Sequence, residues 1–320
     1  MALSLRSLPA GMFGAVMGLA GLGLACRSAA ELLPVPGLLA EFWSALGALA
    51  LALLLPAYLL KILRHPDAVR EEFGNPALIG FCATLPVGMT LAAACIEPYS
   101  AQLAQLLWWC GAPLLLILQL WTLARLARGR ARLAHINGGW LIVLVGGIVM
   151  PFAGLPLGHE VLSTGMYCAS AVAAPFVMTA IVYRAWAGPV LPEALRPSWF
   201  ILLVPPSLIY VNGLALWPAW RGLPLEFLYY LALLLAAALF VVARRFWRWP
   251  FGAPWWAFTF PLDAVAAAAL RYAGTHGGPW RAVAGAALLL ANLAVALVLA
   301  RTLTALARGR LLPQSAGNGP

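Results

Sequence analysis

Ten apolar stretches, each long enough to cross a bilayer, take up nearly the whole chain, and the basic residues fall almost entirely in every second gap between them. The stretches run over residues 9–27, 40–63, 77–96, 102–127, 137–155, 160–187, 199–218, 224–246, 253–273 and 281–307. About 20 helical residues cross a hydrocarbon core, so each qualifies as a span. With 63% hydrophobic and 9% charged residues in a chain of 320, a water-soluble domain would expose a large apolar surface, which excludes that class. The expected fold is an all-α integral membrane protein. It has one ten-helix domain over residues 1–310 and a disordered tail over 311–320.

Charge fixes the expected sidedness. The N-terminus, the gaps after the second, fourth, sixth and eighth spans, and the C-terminal end hold 16 of the 20 Lys and Arg residues, from Arg6 to Arg310. The other side holds only Arg27, Arg221, Arg271 and Arg281. Short loops that stay in the cytoplasm keep positive charge, so both termini are expected there. The net charge of +10 then reflects sidedness and attraction to anionic inner-leaflet lipid, and nucleic acid is not an expected partner. Arg6 precedes a Gly/Leu-rich stretch ending in Ala25-Cys26, but cleavage there would leave an odd number of spans, so the segment is read as retained. The short loops and absence of long tails suggest a minimal inner-membrane protein of bacterial type.

Taken in pairs, the spans give five helical hairpins whose first helices begin near 9, 77, 137, 199 and 253. Each first helix carries a break: Gly11, Gly14, Gly18 and Gly21; Pro86 and Gly88; Gly146, Gly147 and Pro151; Pro205 and Pro206; and Pro261. The second helices are Leu/Ala-rich, though they contain Pro56, Pro113 and Pro175. Proline frees backbone groups, and inside a membrane these are tolerated only against protein or a watery cavity. Any one break taken alone is better explained by helix packing, since small-residue spacing such as Gly14 to Gly18 serves that purpose. Five breaks in five alternate helices point instead to odd helices lining a central pore and even helices outside.

Chemistry is scarce at membrane depth. Asp263 is the one charged side chain placed near mid-bilayer, at a cost of about 2.5–3.5 kcal/mol on insertion scales, so it needs a partner, water or a function. One reading is that it locks a kink by accepting hydrogen bonds; the other is a proton or polar site. Phe260 lies three residues earlier, on a neighbouring part of the same helix face. Arg27 and Arg271 close the first and ninth helices on the sparsely charged side, where they either attract anions or simply snorkel. His65, His135, His159 and His276 lack metal-ligand spacing, and the sequence contains no nucleotide-binding loop, so no metal or other cofactor is proposed. Cys26, Cys82, Cys95, Cys110 and Cys168 have no C-x-x-C spacing and are expected as buried small hydrophobes. A membrane-embedded enzyme would need clustered His, Asp, Glu or Cys, and an enzyme is not expected.

Two segments carry a resemblance. Leu8-Pro9-Ala10-Gly11-Met12-Phe13-Gly14 with Gly18-Leu19-Ala20-Gly21-Leu22, and Trp256-Ala257-Phe258-Thr259-Phe260-Pro261-Leu262, resemble the signatures of the tellurite-resistance/dicarboxylate transporter family, which includes plant guard-cell slow anion channels. The resemblance implies a five-hairpin bundle, usually a homotrimer with one pore in each subunit. It also implies that Phe260, at the family's aromatic position, lies across the pore as its gate. Asp263 matches no established role in that family. Two functions are therefore expected as alternatives: a gated channel for small inorganic or organic anions, or a proton-coupled transporter of dicarboxylates, sulfite or tellurite-related oxyanions.

Overall fold

The computed structural model describes residues 5–129 and 132–309, so the expected tail at 311–320, together with Arg130 and Arg310, lies outside the described residues. The described residues are 84% helical and contain no strand. From the 3₁₀ turn Ala10–Phe13 it enters α1 (Gly14–Ala30), returns along α2 (Gly37–Arg64) and continues through the short α3 (Pro66–Gly74). Next come α4 (Ile79–Cys82), α5 (Thr84–Ile96) and α6 (Ala101–Ala127). The third pair is α7 (Gly139–Val145), a 3₁₀ turn at Gly146–Val149 and α8 (Pro151–Gly154), followed by α9 (Glu160–Ala187). A 3₁₀ stretch at Glu193–Leu203 leads into α10 (Val204–Leu216), then α11 (Leu223–Val242). A last 3₁₀ stretch, Ala253–Phe258, leads into α12 (Thr259–His276), then α13 (Trp280–Ala307).

Eight helical stretches among the described residues, rather than ten, are long and apolar enough to span a bilayer. The expected span 137–155 is the short, interrupted stretch Gly139–Gly154, with the interruption at Gly146 and Gly147, adjacent residues that each disfavour an α-helix interior. The expected span 253–273 is divided between a 3₁₀ stretch and α12, which carries Asp263 and Arg271. Burial sorts the eight into two kinds. Ala10–Ala30, Ile79–Ile96 and Glu193–Leu216 are 72–89% buried, whereas α2, α6, α9, α11 and α13 are only 22–39% buried and present Leu53, Ile117, Phe176, Leu234 and Leu293 outward. Exposed apolar belts of that extent belong to a multi-pass membrane protein.

The broken segments contact one another in a closed ring: α1 with α5, α5 with α8, α8 with α10, α10 with α12, and α12 with α1. Each also packs on the smooth helix that follows it. The prolines act differently from the expected mid-helix kinks. Pro86, Pro205, Pro206 and Pro261 all fall in the first turn of an α-helix, where the missing N–H has no intrahelical acceptor to lose. They start α-helical segments; the prolines inside α-helices are Pro56, Pro113 and Pro175 of the outer helices, and Pro197 lies inside the 3₁₀ stretch Glu193–Leu203. In the first span only the start is broken: the 3₁₀ turn Ala10–Phe13 carries Gly11, and α1 then runs uninterrupted from Gly14 through Gly18 and Gly21. The cysteine expectation needs a correction too: Cys26, Cys82 and Cys95 are buried, but Cys110 and Cys168 are exposed on the outer helices α6 and α9.

Two cavities divided by Phe260

Two cavities lie inside the ring of broken segments. The near cavity, about 130 Å³, lies toward the N-terminal ends of these segments and is walled by Gly14, Met17, Val87, Val145, Gly146, Val204, Pro205, Trp256 and Pro261, among others. It is almost wholly apolar, with Thr84 and Glu72 the polar exceptions. The far cavity, about 620 Å³, is lined by Gly21, Leu91, Phe152, Leu208 and Ala264 with a polar set of Ser28, Glu31, Asn212, Arg221, Asp263, Arg271 and Thr275. All five broken segments contribute to both cavities, and the five smooth helices contribute to neither. Phe260 is the one described residue common to the two linings. It is 5% exposed, at the second position of α12.

The ring is seated by a glycine face on α1. Gly14, Gly18 and Gly21 recur at helical spacing and form one stripe. A methyl group at Gly14 would lie 3.1 Å from Trp256 Cβ; one at Gly18 would overlap Thr259 Oγ1; one at Gly21 would lie 2.7 Å from Phe260 Cδ2 and 3.0 Å from Asp263 Oδ2. The two signature segments are thus in direct contact, and only a hydrogen at position 21 leaves space for the aromatic ring. The 3₁₀ stretch ahead of the ring is anchored in turn. Trp256 Nε1 donates to Thr302 Oγ1 at 3.1 Å, Trp255 Nε1 donates to Pro250 O at 2.8 Å, and Thr259 Oγ1 donates to Trp256 O at 2.9 Å. The Arg301 guanidinium lies over the Trp255 ring, 4.5 Å from its centre.

Asp263 sits one turn beyond Phe260, 2% exposed, on the far cavity wall. Neither carboxylate oxygen has a hydrogen-bond partner among the described residues, so the reading in which accepted hydrogen bonds lock a kink is not what the structure holds. Arg271 lines the far cavity, and so does Arg221, which the sequence offers only as a minority charge. Arg27 does not line it. Its guanidinium reaches Glu41 at 3.5 Å and the carbonyls of Ala94 and Cys95 at 3.5 and 3.4 Å, and the same Glu41 carboxylate accepts the Tyr99 hydroxyl.

Of the expected pore or kink positions, Gly14, Gly146, Pro205 and Pro261 reach the near cavity. Gly18, Pro86, Gly88, Gly147 and Pro206 do not line either cavity. Gly88 packs 3.3 Å from Val16 by the same methyl test, and Gly147 faces the Met166 carbonyl and Ser170 of α9. One residue absent from the sequence reading holds the interrupted segment together: Asn212 Nδ2 donates to Ile148 O at 2.7 Å, satisfying a carbonyl in the 3₁₀ turn. Thr84 does the same for Ala10 O at 2.8 Å. A lone amide or hydroxyl in an apolar span is the signal that identifies such residues.

An all-helical, multi-pass membrane protein with a ring of broken helices around two cavities is the class these features define. Residues 7–303 match the family described as "SLAC1: Voltage-dependent anion channel", and the chain belongs to that SLAC1/TDT family. Among its relatives in Arabidopsis thaliana, S-type anion channel SLAH3 is 25% identical over 279 residues, covering 83% of this chain and 43% of the relative. S-type anion channel SLAH2 is 28% identical over 229 residues, covering 67% and 42%. Guard cell S-type anion channel SLAC1 is 23% identical over 289 residues, covering 86% and 52%. The chain spans about half the length of these relatives.

Proposed function

We propose that this protein conducts small anions across a membrane along a path joining the two cavities, with the Phe260 ring as the gate between them. The observation that carries the reading is that Phe260 alone is shared by both linings. A ring between a narrow apolar cavity and a wider polar one blocks ions by excluding water, and a rotamer change would open the path without moving the backbone. Arg221 and Arg271 supply positive charge on the far side, set against the carboxyl groups of Glu31 and Asp263 in the same lining. The family description and the names of the three relatives agree in pointing to anions.

In this reading the chain forms five membrane hairpins, ten helices in all, with the broken helices inside and both termini in the cytoplasm. The near cavity then opens to the cytoplasm. The family resemblance adds a homotrimer with a pore in each subunit, and the short loops suit a bacterial inner membrane. Transport, not enzymatic turnover, is the activity.

A second reading is favoured by one observation. The unpartnered Asp263 carboxylate beside the ring suits a proton-coupled carrier of dicarboxylates, sulfite or tellurite-related oxyanions, in which Asp263 takes up and releases the proton. Reconstitution of the native protein in liposomes separates the two. Flux that follows an imposed anion gradient at equal pH supports the channel. Flux that appears only with a pH gradient overturns it in favour of the carrier.

A further inference from the structure

Behind the wall of the near cavity three hydrogen-bond donors converge on one carboxylate. Glu72, near the end of α3, lines that cavity. Its Oε2 accepts from Lys61 Nζ at 2.8 Å and from the Tyr58 hydroxyl at 3.1 Å, and its Oε1 accepts the backbone N–H of Ala10. The donors are thoroughly buried: the Lys61 side chain is 4% exposed and Tyr58 is 2% exposed. Lys61 is held in place by a second bond to Leu8 O at 2.8 Å. Pro9 and Gly11, on either side of Ala10, line the same cavity.

The donors and the acceptor belong to different parts of the fold. Lys61 and Tyr58 are on α2, and Ala10 begins the 3₁₀ turn that feeds α1. The acceptor arrives on α3, a short helix with no buried residue. An ammonium, a phenol and a backbone amide arranged around two coplanar oxygens are the donor set of an oxyanion site. An ammonium buried to this degree needs a negative partner, because an uncompensated charge there is strongly destabilising.

We propose that Lys61, Tyr58 and the Ala10 amide form a binding site for planar oxyanions, filled in this structure by Glu72 as a tethered occupant that free anions in the near cavity displace. The ligand class follows from the way the carboxylate is held, with one oxygen on the amide and the other on the ammonium and phenol. A small carboxylate reproduces that pattern, whereas a halide has one centre and satisfies only part of it. The proposal rests on the near cavity being part of the anion path and assigns it a first stop and a competitor for that stop.

The test uses thermal unfolding of the full chain in detergent, titrated with sodium formate and, at equal ionic strength, with sodium chloride. In Glu72→Ala the site is vacated, and formate is expected to raise Tm saturably above chloride, as a ligand that binds the folded state does. The native chain, in which formate must first displace Glu72, should show the same difference only at higher formate concentration, and the double variant Glu72→Ala/Lys61→Met should show none. If Glu72→Ala does not fold, Glu72→Ser also vacates the site while leaving a small polar side chain, and the same formate series decides. Formate and chloride acting alike on the folded variants, or a formate effect that survives Lys61→Met, overturns the proposal. No transport is read in this experiment, so an inert pore and an absent site are told apart.

Discussion

Replacing Asp263 by Asn removes a charge from beside the proposed gate while keeping the side chain's size, and the size of the effect follows from the geometry. The empty Cβ position of Gly21 lies 2.7 Å from the Phe260 ring and 3.0 Å from Asp263 Oδ2, so the carboxylate and the ring edge are at most about 5.7 Å apart. An anion that takes the place of the ring edge when the ring swings aside therefore comes within about 6 Å of Asp263, where two like unit charges at an effective dielectric constant of about 20 repel by about 3 kcal/mol. As a barrier, that is a factor of about 100 in rate. Downhill anion efflux from liposomes at matched protein loading is the assay, run from mildly acidic to mildly alkaline pH. Wherever the native carboxylate is ionised, Asp263→Asn should pass anions about 100-fold faster. Where it is protonated the two proteins should agree, so native efflux rises as pH falls and the variant's stays comparatively flat. Glu31, Arg221 and Arg271 remain in the far cavity of both proteins and set the common background. Equal efflux with the same pH profile in both would refute the placement of this carboxylate against the ion path.

Other substitutions examine the frame around the gate. Gly21→Ala puts a methyl group 2.7 Å from the Phe260 ring, so the ring must shift; anion conductance should change, at an overpacking cost of about 1–3 kcal/mol read as a lower Tm in detergent. Asn212→Leu leaves the Ile148 carbonyl without its 2.7 Å donor and should destabilise the fold by about 1–3 kcal/mol in the same thermal assay.

Much of the architecture was legible because a bilayer imposes so few solutions. Alternating basic gaps paired the apolar stretches, Gly and Pro in the first member of each pair marked out the two kinds of helix, and burial in the structure follows that division in the eight apolar spans. The stripe Gly14, Gly18, Gly21 and the segment around Phe260 could be read as informative, but not as partners, since a single chain does not reveal which helix faces meet. Proline was misleading for a physical reason. The residue that breaks an α-helix interior is also well suited to start one, and Pro86, Pro205 and Pro261 occupy starts. Arg27 looked like a charge at a mouth, yet its partners Glu41, Ala94 and Cys95 come from other elements whose approach no local pattern announces. The Lys61–Glu72 pair was hidden similarly, because only the fold of α3 against α2 brings the two together.

The most direct test of the gate is the anion current through liposome-reconstituted Phe260→Ala compared with the native protein under the same anion gradient and equal pH. Removing the ring joins the two cavities, so the variant should carry a larger steady anion current than the native protein. A folded Phe260→Ala protein with an unchanged or smaller current would contradict the claim that this ring closes the path.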